Sequence, residues 1–251
     1  MGIDFACSSA LLALSAVLGG AYGGRVLARG AAHFARVDRE GSSALAPKGA
    51  MQMFYWGIRP IGEAFARWGI GASAITWASL VLGVAAGVAL GAGHLGVAAA
   101  LVTVSAAGDA LDGFVARFTH TASEAGEVLD ASVDRYVELA FLGGAAFYLR
   151  EAPVQLVVCI AALGASFMVS YSTAKAEALR VDPPRGSMRR TERAILMTSG
   201  AGLSPIVFAL YPAWGAAPLV TALTLIAVAG NVSAVRRLAA VADAVRARAA
   251  R

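Results

Sequence analysis

The chain has 251 residues, 58% of them hydrophobic and 15% charged, and its 21 Lys and Arg against 16 Asp and Glu give a formal net charge of +5. Disorder is excluded, because a disordered chain combines low hydrophobicity with high charge. Two cysteines, Cys7 and Cys159, both in apolar runs, exclude a disulfide scaffold, and the placement of the apolar residues argues against a water-soluble globule.

A membrane-crossing helix needs about 20 mostly apolar residues, and seven stretches qualify. The first is 5–26. Its flanks lack the basic start and small-residue cleavage site of a signal peptide, so a retained helix is expected. Residues 51–70 follow, with Met51, Phe54, Tyr55, Trp56, Ile58, Ile61, Phe65 and Trp68 interleaved with Arg59, Glu63 and Arg67. That pattern predicts an amphipathic helix at the membrane interface; the alternative is a loop carrying aromatic belt residues. The remaining spans are 75–92, 95–115, 128–149, 154–173, 194–210 and 219–235. The fold class expected is all-α: a polytopic membrane bundle with a six-helix core, one extra N-terminal membrane helix and the interfacial helix. Residues 1–48 are read as that extra helix plus a basic linker, and 49–251 as the core domain. Gly83, Gly87 and Gly91 repeat at helical spacing and are read as close-packing positions between helices in lipid.

The basic residues are unevenly placed. Arg25, Arg29, Arg36, Arg39, Lys48, Arg59 and Arg67 separate the first two spans. Lys175, Arg180, Arg185, Arg189, Arg190 and Arg193 separate the fifth and sixth; Arg236, Arg237, Arg246, Arg248 and Arg251 follow the last. The alternate connections hold one Arg. Because positive loops stay in the cytoplasm, the N-terminus is expected outside and the C-terminus inside. The turn formers Pro183 and Pro184 mark a cytoplasmic connection. No nucleic-acid motif accompanies the charge, and no nucleic-acid partner is expected.

Acids within membrane spans are costly and usually functional. Asp109 and Asp112 lie i, i+3 on the third span, and Asp130 and Asp134 lie i, i+4 on the fourth, so each pair shares one helix face. A short turn joins the two spans, which predicts neighbouring helices and four converging carboxylates. Such a set must bind cations or take up protons. Carboxylate oxygens suit Mg²⁺, Mn²⁺ or Ca²⁺, and two such ions form a known arrangement for phosphoryl transfer. The plainer alternative is a set of ion pairs with Arg117 and Arg135. A transporter using the acids as an ion path is the competing class, although no internal repeat is visible.

The run Asp109, Asp112, Gly113, Ala116, Arg117, Gly126, Asp130, Asp134 resembles the signature of the CDP-alcohol phosphotransferases, Asp-x2-Asp-Gly-x2-Ala-Arg-x8-Gly-x3-Asp-x3-Asp. The resemblance extends loosely over 50–240. It implies a transferase of phospholipid synthesis that moves a phosphatidyl group from CDP-diacylglycerol to a small polar alcohol and releases CMP. It implies two divalent cations, Mg²⁺ or Mn²⁺, on Asp109, Asp112 and Asp130, with Asp134 as general base and further metal contact. Thr76, Asp112, Gly113, Ala116, Arg117 and Gly126 would form the CMP site. Ala72-Ser73 stands where the family has Pro-Asn before Thr76. The segments Ser170–Glu177 and Arg190–Arg193 are similar to the acceptor region of the phosphatidylinositol-phosphate synthase branch. Lys175, Arg193, Arg236 and Arg237 would therefore bind an anionic polyol such as inositol phosphate. Thr173 replaces a basic residue of that branch, and glycerol 3-phosphate, free inositol and serine stay as alternative acceptors. The alternative for these cations is topological anchoring, the reading preferred for Arg185 and Arg189. A homodimer in the bacterial inner membrane, its active site facing the cytoplasm, is the further expectation from the family.

Overall fold

Long apolar runs bounded by turns fold into helices whose lengths match a bilayer. The structure, a computed structural model, describes residues 2–34, 37, 38, 41, 42, 45–182 and 186–250. Arg36, Arg39, Pro183, Pro184, Arg185 and Arg251 lie outside the described residues. Among the described residues the regular structure is helical: α1 Gly2–Arg29, α2 Lys48–Arg67, α3 Ala72–Gly91, α4 Leu95–Phe118, α5 Glu124–Tyr148, α6 Pro153–Ala178, α7 Arg190–Leu210 and α8 Ala217–Ala249, with a 3-10 turn at Pro212–Trp214.

Local signals explain several boundaries. Ser123 caps α5, its Oγ accepting from the Gly126 amide at 3.1 Å. Pro153 opens α6 at a position where its missing N–H costs nothing. α8 has 33 residues, about 50 Å at 1.5 Å per residue. It outruns the roughly 30 Å hydrocarbon core, and its last turns carry Arg246 and Arg248.

Six of the helices, namely α1, α3, α4, α6, α7 and α8 (the last counted with its preceding turn), are long and apolar enough to cross a membrane. The seventh expected span, α5, packs among the other helices but is more polar than they are. Its first four turns hold Glu124, Glu127, Asp130, Asp134, Arg135 and Glu138, so it falls outside that set although its length matches the others. Large apolar side chains face outward on the remaining helices, among them Val81, Val88, Val157, Ile160, Val228 and Val232. In water such a surface would promote association; against acyl chains it is the natural exterior. The protein is an integral membrane protein of the all-α class.

The six core helices close a ring. α3 packs along both α4 and α5; α4 meets α7, α7 meets α8, α8 meets α6, and α6 returns to α5. One expectation changes here. The two Asp-bearing helices, α4 and α5, barely touch each other among the described residues, because α3 packs between them. Gly87 allows this: a Cβ there would collide with the backbone of Ala140, and one at Gly144 with the backbone of Gly87. The small-residue reading of that stripe thus has a definite partner, α5.

α1 lies outside the ring against α4, α7 and α2. α2 buries Gln52, Tyr55, Ile58 and Gly62 at three- and four-residue spacing, packing on Leu111 and Phe114 of α4. The amphipathic expectation for 51–70 therefore holds, with bounds shifted to 48–67.

Candidate active site

α4 presents Asp109 and Asp112, and α5 presents Asp130 and Asp134, to the interior of the ring beside α3. Oxygens of Asp109, Asp112 and Asp130 all lie within 4.8 Å of one another. Asp112 is buried, and its Oδ2 accepts a 2.6 Å hydrogen bond from the Thr76 hydroxyl of α3. Oδ1 of Asp130 is buried and finds no hydrogen-bond partner among the described residues. A buried carboxylate oxygen without a partner is expensive, and this one sits among two further carboxylates. An all-carboxylate donor set with an open oxygen fits a hard divalent cation.

Asp134 is held differently. Its Oδ1 is paired with Arg190, and Arg135 lies 3.9 Å from its Oδ2. Arg190 also donates to Oδ2 of Asp109 at 2.7 Å. The ion pairs expected with Arg117 and Arg135 are thus made chiefly by Arg190, a residue that the spacing of acids does not single out. Its position as the first residue of α7, one turn before Arg193, is the signal it leaves in the sequence. At a span end that signal is indistinguishable from positive-inside anchoring.

Behind this layer Glu138 gathers two guanidinium groups, Arg193 Nε at 2.7 Å and Arg135 at 2.9 Å. Arg193 is 1% exposed. It further donates to the Met188 carbonyl at 2.7 Å and to Ser170 at 3.3 Å. Arg237 is also buried; it donates to the carbonyls of Gly186 and Ser187 at 3.0 and 3.2 Å and to Thr173 Oγ1 at 3.5 Å. The Arg237 Nε is buried without a partner among the described residues. Lys175 and Arg236, by contrast, are exposed on α6 and α8. Of the four expected acceptor cations, the structure buries Arg193 and Arg237 and leaves Lys175 and Arg236 at the surface.

Two cavities meet at the aspartates. One, of about 40 Å³, is lined by the four Asp together with Thr76, Ser79, Ser105 and Glu138. The other, of about 570 Å³, is a largely apolar groove between α2, α4 and α7, bordered by Met51, Phe54, Tyr55 and Ile195. Ala106, Asp109, Arg190 and Ala194 line both. Gly113 and Ala116 are half-buried on the last turns of α4, Arg117 is exposed there, and Gly126 is half-buried at the start of α5; these four line neither cavity.

A closed ring of membrane helices around a carboxylate cluster that fits hard cations, with a largely apolar groove meeting it at Asp109 and Arg190, defines the class of the protein by its fold and site. The CDP-alcohol phosphatidyltransferase family profile matches residues 70–245, and the chain belongs to that family of phospholipid-synthesising enzymes, which use divalent metals. The phosphatidylinositol phosphate synthase of Mycobacterium bovis is 34% identical over 93 residues, 37% of this chain. The matched segment spans 41% of that relative's length. The crystal structure of Mycobacterium tuberculosis phosphatidylinositol phosphate synthase with CDP-DAG bound is 29% identical, with a TM-score of 0.66, covering 72% of this chain and 92% of that one. The same synthase in complex with manganese and citrate gives the same identity and TM-score and is covered to 87%.

Proposed function

We propose that the protein transfers the phosphatidyl group of CDP-diacylglycerol to the hydroxyl of an anionic polyol, with inositol phosphate as the leading acceptor, and releases CMP. The observation that carries this reading is the Asp109–Asp112–Asp130 cluster with its unpartnered buried oxygen, set at the mouth of an apolar groove. Divalent cations bound there supply neutralisation of the diphosphate and stabilisation of the departing CMP oxygen.

The chain's own residues supply the rest. Asp109, Asp112 and Asp130 hold the cations, and Thr76 fixes the carboxylate of Asp112 through its 2.6 Å hydrogen bond. The acceptor oxygen forms a bond to the phosphorus that carries the diacylglycerol. The bond from that phosphorus to the oxygen bridging to CMP breaks, and its electron pair leaves with CMP. The acceptor proton passes to the Asp134 carboxylate, which is within the same cavity. The groove along α2 and α7 takes the acyl chains. Gly113, Ala116, Arg117 and Gly126 are assigned to the CMP site by their place in the signature. Arg237, with a buried donor to spare, is the leading ligand for the acceptor's phosphate. Arg193, held by Glu138, Ser170 and Met188, orients the site from behind, and Lys175 and Arg236 flank it at the surface. A specific feature supports a second acceptor: Thr173, not a cation, faces Arg237. One fewer cation suits an acceptor without a phosphate, free inositol or serine.

In this reading residues 1–48 form an added helix and linker and 49–251 the transferase domain. The basic connections support a site at the cytoplasmic face of a bacterial inner membrane, N-terminus outside, and the working unit in this reading is a homodimer. The test is direct. Purified protein is mixed with CDP-diacylglycerol, Mg²⁺ or Mn²⁺ and one acceptor at a time, and products are read by mass. Phosphatidylinositol phosphate with equimolar CMP is expected; absence of CMP release with every acceptor contradicts the proposal.

A further inference from the structure

One charged group at the site has no role in the scheme above, the Arg190 guanidinium. Arg190 bridges Asp109 and Asp134, one carboxylate from each of α4 and α5. It is one of four residues that border both the 40 Å³ carboxylate cavity and the 570 Å³ groove. Its side chain is 36% exposed, so unlike Arg193 it has open space to move into. It is also the first residue of α7, where no preceding helical turn confines the side chain.

Charge bookkeeping makes the position informative. Four carboxylates and one guanidinium leave the cavity strongly negative. Two divalent cations would balance the four carboxylates by themselves. The guanidinium would then face two like charges at close range, while the groove side would hold the anionic diphosphate of a CDP-linked lipid. Asp134 gives the second argument. The Arg190 guanidinium engages Asp134 Oδ1 and makes that carboxylate a weaker proton acceptor, so opening the pair strengthens Asp134 as a base.

We propose that Arg190 is a built-in counter-ion gate: it holds Asp109 and Asp134 together in the cation-free enzyme, gives way when divalent cations load, and turns its guanidinium into the groove to bind the donor's diphosphate. Arg190 is thus a positioning residue for the carboxylates before loading and a donor-binding residue afterwards. The inference rests on the metal-centre reading above. It adds that cation binding competes with an internal cation and cooperates with donor binding.

The experiment is a Mn²⁺ titration of purified protein without CDP-lipid, free Mn²⁺ being read by electron paramagnetic resonance. Arg190→Gln removes the competing charge and is expected to bind Mn²⁺ on the order of tenfold more tightly than wild type. Unchanged or weaker binding by this variant overturns the gate. Asp130→Asn separates the two readings: it is expected to lose Mn²⁺ binding. If it binds as wild type does, the metal centre itself is refuted and the gate with it. A second arm needs no variant. Arginine labelling of the wild-type protein with a dicarbonyl reagent, read by peptide mass, is expected to rise at Arg190 on adding Mn²⁺ and to fall again on adding CDP-diacylglycerol. Labelling of Arg190 that ignores Mn²⁺ overturns the gate independently of how the Gln variant folds.

Discussion

α4 carries a buried acid problem at each end, and the two are solved differently. At its start Asp4, reaching over from α1 and 6% exposed, accepts from the amides of Gly96 and Val97 at 3.0 and 3.2 Å and meets His94 at 3.1 Å. His94, the residue at the cap position, makes no side-chain cap of its own, so Asp4 caps the helix from a different element. About 20 Å further along, Asp109 and Asp112 join Asp130 and Asp134, where Arg190 bridges Asp109 and Asp134 and an oxygen of Asp130 stays unpartnered among the described residues. A buried carboxylate whose oxygens are all met by the chain is structural. One whose oxygens the chain leaves open is waiting for a ligand.

The contrast is broken most severely at the open end. Asp130→Asn and Asp134→Asn are each expected to lower phosphatidyl transfer by roughly 10³-fold or more, since several kcal/mol of transition-state stabilisation go with them. They should differ in one respect: Asp134→Asn keeps CDP-lipid binding, measured by filter retention of labelled CDP-diacylglycerol. Full turnover in Asp134→Asn would remove it as the base. Next in size, Thr76→Val deletes the hydroxyl that orients Asp112 and should cost about 10- to 100-fold in kcat/KM, with little change in melting.

Gly87→Leu tests whether the two halves of the site depend on α3. It forces side chain into the backbone of Ala140 and should destabilise the bundle by about 1–3 kcal/mol or more, read as a fall in detergent melting temperature. Asp4→Ala sharpens the comparison from the closed end. Loss of the shared cap should cost about 0.5–2 kcal/mol of stability, while transfer activity stays within a fewfold of wild type. A catalytic defect as large as that of Asp130→Asn would erase the distinction.

The smallest effect lies outside the spans, at Asp38. The hydrogen bond from the Lys48 ammonium, 2.5 Å away, holds this exposed carboxyl below the ordinary 3.8. A depressed folded-state pKa gives a contribution present above the unfolded value and lost as pH falls through the folded one. Lys48→Met should lower the melting temperature slightly at neutral pH and flatten the acid limb, the variant and wild type converging once the pH falls below the folded-state value.

The helices and the four aspartates were legible in the sequence because each depends on spacing along one chain segment. Apolar length places the spans, and i, i+3 and i, i+4 intervals place each Asp pair. What spacing cannot carry is which helices adjoin. The turn at 119–123 suggested that α4 and α5 pack together, whereas α3 fits between them through Gly87. Nor does it separate cations by use. Arg190, Arg193, Lys175 and Arg236 all stand at span ends, and only burial and partners distinguish a carboxylate bridge and a buried inner arginine from two surface charges. Asp4 was legible only as a lone charge at the head of a span; its partner lies 90 residues away, at His94.

The central claim is that the open carboxylates are a cation site serving transfer from a CDP-linked lipid. CMP release from CDP-diacylglycerol by purified protein with inositol phosphate, assayed with Mn²⁺, with Mn²⁺ plus excess EDTA, and with Asp130→Asn, tests it most directly. The account predicts release in the first case and none above background in the other two. Release that survives EDTA, or that Asp130→Asn sustains at the wild-type rate, would contradict it.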